Sequence, residues 1–137
     1  MSKRYYIGTV KNYDKTDKGE KMVKSQQKFL EGLRTDGFEI KHGKMMYDAG
    51  KIREKGVDVK IAIDLVIGAA DDLYDTAIII SSDTDLIPAI KYVKNAKNKK
   101  VEYISFGDRL SLGMIKECST TRTFSEMDID KFKVSSK

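Results

Sequence analysis

The sequence has few of the residues that build covalent or metal-bound frameworks. It contains one cysteine, Cys118, one histidine, His42, and no tryptophan among 137 residues. A single cysteine excludes an internal disulfide and a cysteine-based zinc site. His42, beside Gly43, is interpreted as a turn residue, which excludes a histidine-rich metal site and a Ser-His-Asp triad. The scarcity of cysteine favours a reducing, cytoplasmic setting.

Long apolar runs are also missing. No segment approaches the roughly 18 consecutive apolar residues that span a bilayer, and residues 1–5 have no apolar core of a signal peptide. We therefore expect no membrane segment. The glycine patterns of dinucleotide-binding and P-loop proteins are absent as well, so neither class has support from a motif.

The composition is that of one globular domain. Hydrophobic residues make up 40% and charged residues 34% of the chain, and proline occurs once. No linker divides the sequence, so we expect a single domain over residues 1–133 followed by a polar tail at 134–137. The net charge of +5 permits a polyanionic partner without requiring one.

Strand and helix patterns alternate along the chain. Strands are predicted at Tyr5–Val10, Phe38–Ile40, Lys44–Tyr47, Thr76–Ser82, Val101–Phe106 and Thr121–Phe124. Helices are predicted at Met22–Leu33, Asp58–Leu73, Asp85–Ala96 and Arg109–Cys118, and a polar loop at Asn12–Glu20. This alternation predicts an α/β fold with a mainly parallel sheet between helices. Ligand sites in such folds lie at the carboxyl ends of the strands.

Five local signals refine or qualify these predictions. Gly37 is expected to end the first helix, and Asp58 to cap the second. In the first half of that second helix, apolar and polar residues also alternate as they would in a strand, so a strand is the competing interpretation there. The apolar run at Thr76–Ser82 predicts a strand that is buried on both faces, and Pro88 fits the first turns of the third helix.

Two carboxylates follow the predicted buried strand. Asp83 and Asp85 lie one residue apart, where a strand ends and a helix begins. Capping explains one acidic residue at a helix start but explains two less well. Mg²⁺ is held through oxygen ligands, usually one or two carboxylates with water and phosphate. We therefore favour a metal site at this position, although a D-x-D pattern by itself is short.

A second acidic position lies earlier in the chain. Asp58 follows Lys55-Gly56-Val57, and N-capping is the simpler interpretation of Asp58 taken alone. Asp64 is six residues further on, a net rotation of about 240° on a helix. Asp58 and Asp64 therefore do not share a helix face.

Together these segments resemble the NYN domain, and within it a LabA-like bacterial branch of the PIN-like nucleases. The resemblance rests on Lys55-Gly56-Val57-Asp58-Val59, on Asp64, and on a strand that ends Ser81-Ser82-Asp83-Thr84-Asp85-Leu86-Ile87-Pro88. It covers residues 5–124. It implies a Rossmann-like α/β/α fold and a ribonuclease, most simply an endonuclease on single-stranded RNA, that depends on Mg²⁺ or Mn²⁺.

The resemblance also implies roles for individual residues. Asp58, Asp83 and Asp85 are the expected catalytic and metal-binding residues, and Asp64 is a further expected ligand. Clustered carboxylates that hold such a metal can neutralise a phosphate and activate a water. Arg53, Lys55, Ser82 and Thr84 are expected to contact the nucleic acid, because they lie beside the site aspartates.

One departure from the family pattern bears on activity. The family opens with a strand that ends in an aspartate, in a pattern like F-[IV]-D-x-x-N, and residues 1–20 contain no match. A lost central strand exposes a sheet edge. We therefore expect that a homo-oligomer or a partner chain could supply a strand.

Two rival functions stay open at this point. One is an RNA- or protein-binding module of the same fold that has lost turnover. The other is a haloacid-dehalogenase-like phosphatase in which Asp83 is the nucleophile. The position of the D-x-D motif past the middle of the chain weakens the phosphatase interpretation.

Overall fold

The computed structural model describes residues 1–8, 15–48 and 51–133, with side chains described except at 44–48 and 51–55. It divides into two compact units, Met1–Lys60 and Ile61–Lys137. The predicted α/β class is confirmed, because each unit contains parallel strands and at least part of one helix. The prediction of one domain over residues 1–133 stays a prediction.

The first unit contains a three-stranded sheet in the order β1-β2-β3, at Lys3–Gly8, Phe38–Asp48 and Lys51–Lys55. β1 pairs parallel with the first half of β2, and β3 pairs antiparallel with its second half. The prediction of two short strands around a His42 turn is wrong. His42 stays extended because the β1 ladder reaches it and continues to Gly43. β3 was not predicted.

Helix α1 covers Asp17–Thr35. Thr16 caps it by accepting from the Gly19 N–H at 3.1 Å, and the acidic Asp17 and Glu20 favour its positive N-terminal end. The predicted loop over Asn12–Glu20 is therefore wrong from Asp17 onward, and residues 9–14 lie outside the described part. Gly37 follows the helix with φ +89°, as its predicted terminating role requires.

Helix α2 covers Val57–Ala70 and runs from the first unit into the second. The competing strand interpretation is wrong. Asp58 lies in the first turn rather than at the cap, because Gly56, with φ +87°, already takes the position before the helix. In the first unit, the Lys60 ammonium donates to the His42 carbonyl at 3.2 Å.

The second unit contains a parallel sheet in the order β4-β5-β6, at Thr76–Ile79, Lys100–Phe106 and Thr120–Phe124. β5 is the central strand, and its side chains alternate between buried and more exposed positions. Its buried residues are Val101, Tyr103 and Ser105. The core joins one face of this sheet to the helices and contains Leu65, Ala69, Ile79, Leu86, Ala89, Ile90, Val93, Val101, Tyr103, Met114 and Cys118.

Strand β4 is shorter and more exposed than predicted. Ile79 faces the core, but the neighbouring Ile78 is 53% exposed, so burial on both faces is wrong. Successive side chains of a strand point to opposite faces, so Ile78 lies on the face away from the core, and a doubly buried strand needs cover on both faces. A strand from a second copy or a partner chain stays a prediction.

The remaining helices are α3 at Ile87–Asn95, α4 at Leu112–Glu117 and α5 at Glu126–Asp130. The helix predicted over Asp85–Ala96 instead begins as a 3-10 turn at Thr84–Leu86, and Pro88 lies in the first turn of α3 as predicted. The helix predicted from Arg109 begins at Leu112 because Ser111 caps it, accepting from the Met114 N–H at 3.3 Å. α5 was not predicted. Among the described residues, none of the helices combines the length and the hydrophobicity of a bilayer span.

Candidate acidic site

The acidic pair lies in a tight turn between β4 and α3. Leu86, within this turn, is fully buried and anchors it to the core of the second unit. The Asp83 carboxylate accepts the Asp85 N–H at 2.9 Å, and the Asp83 N–H donates to the Ser81 hydroxyl at 3.3 Å. Asp83 therefore caps the 3-10 turn, and both carboxylates share one short segment at the carboxyl end of β4.

A chain of hydrogen bonds fixes the residue before this pair. The Ser111 N–H donates to the Tyr103 hydroxyl at 3.3 Å, which lies 2.7 Å from the Ser82 hydroxyl. Ser82 in turn donates to the Arg109 carbonyl at 3.2 Å, so Tyr103 is the donor to Ser82. The side chain of Ser82 thus ties the acidic turn to the loop after β5, and its role toward RNA stays a prediction.

The two carboxylates fit Mg²⁺ better than a metal ion that is held by protein ligands alone. Asp83 uses one carboxylate oxygen in the cap, which leaves its second oxygen available, and Asp85 is exposed. Within the described ranges, no group of three or more His, Cys, Asp or Glu side chains could hold a metal ion. Two carboxylates fit Mg²⁺, which keeps several waters and also binds substrate phosphates, and do not fit an all-protein cage.

The other predicted acidic residues lie on α2. Asp58 is exposed in its first turn, within the first unit, and Asp64 is half-buried, within the second. Their separation along the helix leaves them on different faces, as predicted. Their roles as ligands stay predictions.

The predicted nucleic-acid contacts are distributed over three segments. Arg53 and Lys55 lie on β3, and their side chains are outside the described part. Thr84 opens the 3-10 turn and is exposed. Of the four, Ser82 and Thr84 flank Asp83 directly.

A cleft that the sequence did not reveal lies beside the acidic turn. It has a volume of about 840 Å³, and its lining includes Ile80, Ser82, Phe106, Arg109 and Ile129. These residues come from the carboxyl ends of β4 and β5, the loop after β5, and α5. Gly107, which follows a predicted strand and has φ +57°, was the available signal of a turn at this edge.

Comparison with known proteins assigns the chain to a family. No curated protein matches the sequence. A crystal structure of a protein of unknown function from Vibrio parahaemolyticus RIMD 2210633 is similar, with a TM-score of 0.68 at 22% identity. The alignment covers 91% of this chain and 69% of the other, and it shows a shared fold. The family model of the NYN domain matches residues 1–126, and the chain therefore belongs to the NYN domain family.

Proposed function

We propose that this protein is a ribonuclease that cuts single-stranded RNA internally and depends on Mg²⁺ or Mn²⁺. The observation that carries the proposal is the placement of Asp83 and Asp85 in one turn at the carboxyl end of a parallel strand, in a chain of the NYN family. That edge is where α/β sheets bind ligands.

The proposed roles follow from the geometry of the turn. Asp85 and the second oxygen of Asp83 would hold the metal ion, and the cap from Asp83 to the Asp85 N–H keeps the two side chains in register. When bound, the ion supplies Lewis-acid polarisation of the phosphate and a lower pKa for an attacking water. Asp58 and Asp64 are proposed as further acidic residues on the family resemblance alone.

The buried network behind the turn supports precise placement. Tyr103 is fully buried, and its hydroxyl holds Ser82 while it accepts from the Ser111 N–H. Residues that hold reacting groups rigidly lower the entropic part of a barrier. The turn is therefore anchored by Leu86 in the core and by Ser82 at the surface.

The test is cleavage of an end-labelled, unstructured RNA with Mn²⁺, with Mg²⁺ and with EDTA. The decisive variant is Asp83→Asn/Asp85→Asn, because an asparagine at position 83 can still cap the turn while the charge is removed. The matched control is Asp71→Asn/Asp130→Asn, which removes two exposed carboxylates outside the turn.

We expect metal-dependent internal cuts by the parent protein and the control, and a loss of at least about 100-fold in the Asp83/Asp85 variant, the scale of a lost electrostatic contact to the transition state. Equal cleavage by both double variants would overturn the assignment to this turn. RNA binding without any cutting by the folded protein would favour the binding module. Hydrolysis of a small phosphate monoester with trapping of Asp83 by beryllofluoride would favour the phosphatase.

A further inference from the structure

The cleft beside the acidic turn combines an apolar wall with a single cation. Ile80, Phe106 and Ile129 form much of the wall, and the Ser81 and Ser82 side chains add hydroxyls. Arg109 is the one cationic residue in the described lining, which also includes Asp108 and Glu126. Arg109 is therefore the one side chain of the described lining whose charge attracts an anionic ligand.

Arg109 is presented by a loop that is fastened at several points. The Gly107 N–H donates to the Phe124 carbonyl at 2.8 Å, and the Arg109 N–H donates to the Phe106 carbonyl at 3.3 Å. The Arg109 carbonyl accepts from Ser82 at 3.2 Å. The guanidinium itself forms no ion pair with any residue in the described ranges. The backbone is thus fixed while the charge is left available for a ligand.

Phe106 supplies an aromatic surface in the same cleft. Its ring stacks on Phe124 with centroids 6.0 Å apart and planes 30° apart, and 45% of the residue is exposed. The neighbouring ring holds Phe106 in place. Exposed aromatic side chains of this kind stack on unpaired bases with little regard to sequence.

We propose that this cleft is a nucleotide subsite for single-stranded RNA, with a base against Phe106 and a phosphate on Arg109. The proposal rests on the proposed function, since the cleft would bind the RNA substrate beside Asp83 and Asp85. An unpaired strand can place a base on Phe106, whereas the bases of a duplex are already stacked on one another. The cleft therefore selects single strands over duplexes.

The experiment measures binding separately from cleavage. A fluorescein-labelled single-stranded oligoribonucleotide, alone or annealed to its complement, is titrated with protein in EDTA, and fluorescence anisotropy is recorded. The variants are Phe106→Leu, which keeps an apolar side chain, and Arg109→Gln. Their matched controls are Phe132→Leu, at an exposed phenylalanine outside the cleft, and Arg34→Gln, at an exposed arginine in the last turn of α1. Circular dichroism confirms that each variant folds.

We expect about tenfold weaker binding of the single strand by Phe106→Leu, the scale of one lost base–aromatic contact. Arg109→Gln should also reduce the slope of log K against log salt by about 0.7, the value for one phosphate contact on a single strand. The affinities of both controls should stay close to that of the parent protein, because neither residue lines the cleft. These results would support the subsite whether or not the protein cuts RNA.

Other outcomes would overturn the subsite. Unchanged affinity in both cleft variants would do so, even if metal-dependent cleavage through Asp83 and Asp85 is found. A parent protein that binds duplex as tightly as single strand, or that binds no RNA, would also refute it. Metal-dependent cleavage that is unaffected by substitution of Phe106 and Arg109 would therefore support the proposed ribonuclease and refute the subsite.

Discussion

Among the described side chains, the two compact units differ in how many apolar residues they bury. Of the 13 buried apolar residues among the described side chains, only Leu30 and Val57 lie in Met1–Lys60, and the other eleven lie in Ile61–Lys137. Those eleven form one connected core. In the first unit, β1 is half-buried along most of its length, and Tyr5 packs edge-to-face on the half-exposed Phe29.

This contrast shows which unit supports the candidate site. Burial of apolar surface is the main stabilising contribution to folding, at about 25 cal/mol for each Å². The acidic turn lies in the unit with the connected core and contributes Leu86 to it. Its geometry therefore depends on the packing of the second unit, and disturbing that core should affect both stability and activity.

The largest expected effect on stability comes from alanine substitutions at two buried leucines, one in each unit. Leu86 is 0% exposed and Leu30 is 4% exposed. Leu86→Ala should destabilise the protein by about 4 kcal/mol and Leu30→Ala by about 2 kcal/mol, because Leu86 belongs to the connected core and Leu30 does not. Urea unfolding followed by circular dichroism gives the totals, and hydrogen exchange assigns each loss to a unit. A larger loss at Leu30 would reverse the comparison.

Alanine substitutions at two helix glycines should change the stability of the protein in opposite directions. A Cβ added at Gly68, in α2, would lie 2.7 Å from Tyr74 Cε1, and the Tyr74 hydroxyl is held by the Leu65 carbonyl. Gly68→Ala should therefore cost about 1–3 kcal/mol through overpacking. At Gly32, in α1, no atom of the described residues lies within 4 Å of the added Cβ, so Gly32→Ala should stabilise by about 1 kcal/mol through helix propensity.

Thermal unfolding of the two glycine variants measures both effects. In the double variant Gly68→Ala/Tyr74→Ala the clash is absent, so its cost should be smaller than the sum of the two single costs. An additive result would show that the Tyr74 ring does not cause the loss at Gly68. Destabilisation by Gly32→Ala would contradict the open space around that residue.

The smallest expected effect on stability concerns the carboxyl groups of Asp128 and Glu39. The hydrogen bond from the backbone of Ser125 lowers the pKa of Asp128, with the Ser125 hydroxyl as a second donor. The hydrogen bond from Lys41 lowers the pKa of Glu39, and the charges of Lys41 and Arg4 act in the same direction. Each lowered pKa contributes stability above the value in the unfolded chain, and that contribution is lost as pH falls through the folded value.

High salt should change the pKa of Glu39 more than the pKa of Asp128. High salt screens the charges around Glu39 and should return its pKa toward the ordinary value, whereas the capping hydrogen bonds of Asp128 should keep its pKa low. Carboxyl-carbon NMR titrations at low and high salt measure both. An equal salt response would indicate that the Ser125 cap does not determine the pKa of Asp128.

Much of the fold could be predicted because the local signals agreed with the final structure. Gly37 and Pro88 lie where their backbone preferences predicted, and the alternation of segments indicated parallel strand pairs. The errors occurred where polar composition concealed a cap, as at Thr16. Helix α5 also had a readable signal, since Ser125 and Asp128 form a capping box.

Other features could not be read from local patterns. β2 continues through His42 and Gly43 because β1 pairs with both residues, a contact between segments far apart in the chain. The exposure of Ile78 depends on which face of β4 the core covers. In the site, Asp83 and Asp85 were identified from their spacing, but Arg109 was assigned to a helix. Hydrogen bonds between distant segments, among them the one from Ser82 to the Arg109 carbonyl, place its loop beside the acidic turn.

The sequence by itself determined the α/β class, the NYN family and the acidic pair at a strand end, because these follow from residue order and short-range spacing. The tertiary structure decided which residues surround that pair. Tyr103, Phe106 and Arg109 come to the acidic turn through parallel pairing of β4 with β5 and through hydrogen bonds across the loops. Such contacts join residues more than 20 positions apart, and no local pattern encodes them.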